Sequence, residues 1–148
     1  MRLGLAVLAL VAITVGARAD TAADHLRSCA GDRACEAQRA AFTTAFKGAM
    51  ARDYQGQRNV SFCLVDGCDG AVQVNRPLGC AWRLVIINSG SPQADTTDTG
   101  FFGAYCRSRL SGQENDLMYA QARQIFQRVY KRQPPAVMSG ASLEPPRR

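Results

Sequence analysis

The chain has 148 residues, 18 Lys and Arg against 12 Asp and Glu, and a net charge of +6. That is about one domain of polypeptide. The basic residues are dispersed and no aromatics interleave with them, which argues against a nucleic-acid platform.

Residues 1–19 read as a secretory signal peptide. Arg2 supplies the positive start, residues 3–15 form an apolar run broken only by Gly4 and Thr14, and Ala17-Arg18-Ala19 is an A-x-A cleavage pattern. The expected cut falls between Ala19 and Asp20. A spanning helix needs ~20 apolar residues; this run is shorter and Arg18 closes it. No later stretch is long or apolar enough to span, so no stable membrane anchor is expected. Cleavage removes Arg2 and Arg18 and lowers the charge from +6 to +4. The expected location is the periplasm of a Gram-negative bacterium, or the exterior. Residues 20–132 are expected to form one helical domain and residues 133–148 a disordered Pro-rich tail.

Six cysteines remain: Cys29, Cys35, Cys63, Cys68, Cys80 and Cys106. An even number in an oxidising compartment implies disulfides, with 15 possible connectivities. Neighbour pairing is expected: Cys29 with Cys35 across a short turn, Cys63 with Cys68 at a helix end, and Cys80 with Cys106 between successive helices. Zinc is disfavoured, because there is no C-x-x-C and His25 is the single histidine. The same lack argues against a thioredoxin-like redox site. No metal and no cofactor is expected.

A short helical start is expected over 20–28, then a turn between Cys29 and Cys35. Residues 34–54 are alanine-rich, which favours helix. Phe42, Phe46 and Met50 recur at i, i+4 and i+8 and make one apolar stripe. A second helix is expected over 57–65, ended by Asp66-Gly67. Asn75 and Pro77 suit the cap and first turn of the next element, residues 78–88. That stretch is apolar nearly all round, and Val85-Ile86-Ile87 leaves helix and strand both open.

Residues 89–92, Ser-Gly-Ser-Pro, form a break. Asp95 or Thr97 then caps a helix expected to run through Leu110. Ser111 and Glu114 make a capping box. The helix it opens carries Leu117, Met118, Ala122, Ile125, Phe126, Val129 and Tyr130 at helical spacing. The fold class read from this pattern is all-α, with antiparallel neighbours.

Val72, Asn75, Gly79, Trp82 and Gly90, within residues 59–90, carry a resemblance to a Sel-one-like repeat, a helical-hairpin relative of the tetratricopeptide repeat. The segment departs from the pattern at Arg83 and at Ile86-Ile87, which replace an aromatic and two alanines. The stretches 63–72 and 79–83 are also similar to small exported proteins of alphaproteobacteria. The resemblance covers about one repeat. It implies stacked antiparallel helical hairpins, with the tryptophan wedged between paired helices and small residues allowing close crossing. It also implies a non-catalytic role, binding a partner protein in the cell envelope. A solenoid usually needs at least ~3 repeats, so the disulfides are expected to supply what repeat number does not.

No catalytic residue is assigned. His25 has no partner in sequence, and the pairs Asp66/Asp69 and Asp95/Asp98 suit turn and capping chemistry. Arg83, after Trp82, either stacks on an aromatic face or pairs with an aspartate of the preceding turn, and is a possible partner-binding residue. The alternative function is a small disulfide-rich secreted hydrolase of the cysteine-rich repeat type. It requires His25 and Asp66 or Asp69 to converge in one pocket. The interaction module requires an exposed apolar or aromatic surface.

Overall fold

A computed structural model describes residues 20–139. The expected signal peptide, residues 1–19, and residues 140–148 lie outside this range. Five α-helices account for most of the described chain: α1 (Arg33–Met50), α2 (Tyr54–Asp66), α3 (Arg76–Asn88), α4 (Thr96–Phe102) and α5 (Gly112–Tyr130). Short 3-10 turns precede and follow them at Ala22–His25 and Ala136–Ser139. There is no strand among the described residues. One isolated antiparallel bridge joins Leu26 to Val72.

The helix starts follow local capping chemistry. Asp32, Asp53, Asn75, Asp95 and Ser111 each accept a hydrogen bond from a backbone N–H of the turn they open, satisfying donors that a helix N-terminus leaves unpaired. Asn75 takes the Leu78 N–H at 3.2 Å, and Pro77 sits in the first turn. Residues 78–88 are therefore helix, not strand. Gly67, at φ +95°, closes α2 in the left-handed region.

Two boundaries differ from expectation. The helix expected over 34–54 breaks at Ala51–Asp53, where Arg52 turns to φ +71°. Alanine content says nothing about where a helix must stop. Here the Arg52 guanidinium is held by the Val129 and Tyr130 carbonyls at the far end of the chain. The helix expected from Asp95 to Leu110 is α only to Phe102, and Gly103–Arg107 widens to a π turn.

α3 is central. It packs on α2, α5 and α4, while α2 also packs on α1. The Asn75 N–H meets the Leu64 carbonyl, Gly79 lies against Ser61, and Arg83 reaches the Arg58 carbonyl. Rising numbers on α3 thus meet falling numbers on α2, so the two run antiparallel. Glycines set both crossings. A Cβ on Gly79 would come within 2.8 Å of the Ser61 carbonyl and of Val65. One on Gly56 would come within 2.7 Å of the Ala45 carbonyl.

Trp82, Phe42, Phe126, Leu64, Ile86 and Met118 are fully buried, each worth roughly 1.5–3 kcal/mol for leaving water. Three disulfides brace this small core: Cys29–Cys35, Cys63–Cys68 and Cys80–Cys106. The last joins α3 to the π turn. Residues 133–139, the start of the expected Pro-rich tail, also pack on the domain. Met138 is fully buried, and its carbonyl accepts a 3.1 Å hydrogen bond from Arg123 of α5. The buried Met138 side chain and the Arg123 hydrogen bond together hold this turn against α5.

Candidate functional site

The most polar part of the interior lies where α2, α3 and α4 meet. The fully buried Asp98 carboxylate is its centre. Its Oδ1 accepts from Arg83 Nη1 at 2.6 Å and lies 3.4 Å from Arg58 Nε. Its Oδ2 accepts from the Tyr54 hydroxyl at 2.7 Å and from the Asp95 N–H at 3.2 Å. Arg83 also donates Nε to Ser61 Oγ at 3.2 Å, and its guanidinium lies 4.0 Å over the Phe101 ring. Ser61 Oγ in turn donates a 2.8 Å hydrogen bond to the Gly79 carbonyl.

The charges at this junction are compensated and hydrogen-bonded, as burial demands. Burial, reinforced by Asp98, raises the Tyr54 phenol above its ordinary range. Burial pulls the Arg83 guanidinium down, and Asp98 opposes that pull.

This arrangement corrects the expectation for Arg83. It does both things the sequence allowed, stacking on an aromatic ring and pairing with an aspartate, but the aspartate follows it in the chain. At 2% exposure it has no surface to offer a partner. The sequence did hold a cue. An arginine inside an otherwise apolar helix must be buried with α3, and a buried cation needs a buried anion.

The five residues carrying the repeat resemblance serve packing and turns. Val72 is buried under the bridge to Leu26. Asn75 caps α3, and Gly79 sets the α2–α3 crossing. Trp82 is buried edge-on to Phe46, with ring centroids 6.2 Å apart. Gly90 takes φ +76° after α3.

The groups required for hydrolysis are engaged separately. His25 packs beside Phe42 and Phe46, and its Nε2 lies 3.0 Å from Asp20 Oδ1, at ion-pair distance though not aligned as a hydrogen bond. Asp66 accepts from the Cys68 N–H, and Asp69 from Gln38.

A cleft of about 720 Å³ lies between the end of α3, α4, the π turn, the start of α5 and the C-terminal 3-10 turn. Leu84, Ile87, Phe102, Tyr119 and Val137 supply its apolar lining. Asn88, Thr99, Arg107, Asn115 and Asp116 supply polar groups. Sequence reading missed this site, because its walls run from Leu84 to Val137 and come from elements far apart in the chain. A groove of about 230 Å³ lies between α1 and α2 beside the half-exposed Phe62.

The fold and these features define a small, disulfide-braced helical protein with a buried ionic junction and an open amphipathic cleft. Comparison with protein-family models, curated proteins and solved structures finds no match.

Proposed function

We propose that this protein is a non-catalytic helical scaffold of the cell envelope, periplasmic or secreted, that binds a segment of a partner protein in the α3–α5 cleft. The cleft is the observation that carries the reading. Its lining is apolar with a few polar groups, the composition of a site that takes an apolar side chain and fixes its flanks. Its volume is too small for a folded domain and suits a few residues of a peptide.

Two features support the rest. Three disulfides and no free cysteine among the described residues fit an oxidising compartment. No helix among the described residues is long and apolar enough to cross a membrane. The close α2–α3 hairpin, with glycine at the crossing and tryptophan buried beside it, agrees with a Sel-one-like repeat, and such repeats serve as interaction scaffolds.

The test is affinity capture from envelope extract with the oxidised protein as bait. One stoichiometric partner is expected. Val137→Asp, at a half-exposed cleft position, should release it, while Phe62→Ser on the α1–α2 face should not. Retention of the same partner by Val137→Asp overturns the cleft as the binding site.

A further inference from the structure

One end of the bundle, where α1 and α5 stop, is rich in basic charge, with the exposed acids Asp53 and Asp95 at the neighbouring starts of α2 and α4. The Arg52 side chain brings the turn between α1 and α2 onto the end of α5, donating to the Val129 and Tyr130 carbonyls. Arg52 and Arg132 both lie over the Tyr130 ring, at 5.6 and 5.7 Å from its centroid. Lys47 stands in the last turn of α1, and its carbonyl accepts the Ala51 N–H. Arg128 is in the last turn of α5 and Lys131 is its cap. Five cations therefore gather where α1 and α5 end, and all five are exposed.

Arg52 and Arg132 are occupied, since both donate to main-chain carbonyls. Lys47, Arg128 and Lys131 have no ion pair and no side-chain hydrogen bond with any described residue. The nearest acid in sequence, Asp53, is committed to capping α2. The far end of α1, ~27 Å away at 1.5 Å per residue, carries both signs instead: Asp32 and Glu36 beside Arg33 and Arg39.

We infer that this end is a docking face for an anionic phospholipid surface. None of the five residues lines either cleft described above, so the face is separate from both. Exposed cations gathered at one end, three of them without a partner among the described residues, suit an extended plane of headgroup phosphates, which needs charge but no register. The mixed-sign far end gives that attraction a direction, so the protein stands on the surface by one end. The attraction is reversible and falls with salt, as the screening length shrinks from about 10 Å at 0.1 M to about 3 Å at 1 M. It rests on different residues from the cleft, so either reading can fail without the other.

The test is co-sedimentation of the exported, oxidised protein with phosphatidylcholine vesicles, with and without phosphatidylglycerol. Binding is expected only with phosphatidylglycerol, and it should be lost at high salt. The triple variant Lys47→Gln, Arg128→Gln, Lys131→Gln should bind on the order of 100-fold more weakly, at about fivefold per basic group. A matched variant, Arg27→Gln, Arg33→Gln, Arg109→Gln, lowers the net charge equally and should bind within about fivefold of the parent. Circular dichroism establishes that both remain helical. Equal loss in the two variants assigns the effect to net charge and overturns the inference. So does equal sedimentation with pure phosphatidylcholine, or capture by poly-glutamate without capture by vesicles.

Discussion

Arg83 on α3 and Asp98 on α4 form an ion pair at 2.6 Å with almost no solvent access to either side chain. Each is held by further bonds from α2, through Tyr54, Ser61 and Arg58. The pair thus locks three helices at one point. Removing one partner strands a charge in the interior, which typically costs about 3–5 kcal/mol. Asp98→Ala should lower the unfolding free energy of the oxidised protein by that amount in urea denaturation. The double change Arg83→Met, Asp98→Leu should cost clearly less than the sum of the two single changes. An additive result would show that the two side chains are not coupled.

The same junction sets an alkaline limit. The folded-state pKa of Tyr54 is raised above the unfolded value of about 10. Its stability contribution is therefore complete below pH ~10. It is lost as pH climbs from there through the folded pKa, because the unfolded chain releases the phenol proton first. Tyr54→Phe should flatten this part of the stability profile. Denaturation midpoints measured across the alkaline range, parent against variant, check it.

Gly79 and Gly56 permit helix contacts closer than any Cβ allows. Gly79→Ala drives a methyl to 2.8 Å from a main-chain carbonyl that cannot step aside alone. Overpacking of this kind typically costs about 1–3 kcal/mol, even though alanine is the better helix former. A lower melting temperature with unchanged helical circular dichroism is the expected outcome. A stabilised Gly79→Ala variant would mean that α2 and α3 do not cross this closely.

The disulfides differ in reach. Cys80–Cys106 closes a separation of 26 residues, against 6 and 5 for the other two. On the chain-entropy account, its loss costs about 3.5 kcal/mol and a five- or six-residue loop about 2 kcal/mol. Replacing Cys80 and Cys106 together by alanine should therefore lower the melting temperature more than replacing either local pair. Scanning calorimetry of the three double variants gives the order directly.

What the sequence determined by itself is what adjacent residues decide between them. Asn75 with Pro77, Asp95, and Ser111 with Glu114 cap helices through bonds that span two or three positions, so their signals survive in one dimension. Short cysteine spacing likewise favoured the pairs now seen, because the shortest loops close most easily. The tertiary structure decided the rest. The stop at Arg52 depends on carbonyls 77 and 78 residues away. The burial of Arg83 depends on Asp98, 15 residues on. Met138 docks through Arg123 at the same separation. The α3–α5 cleft and the basic end exist only once α1, α3 and α5 are placed together. Capping and periodicity are local free energies, readable along the chain. Charge pairing, docking and concavity are made by residues that meet only after the chain has folded.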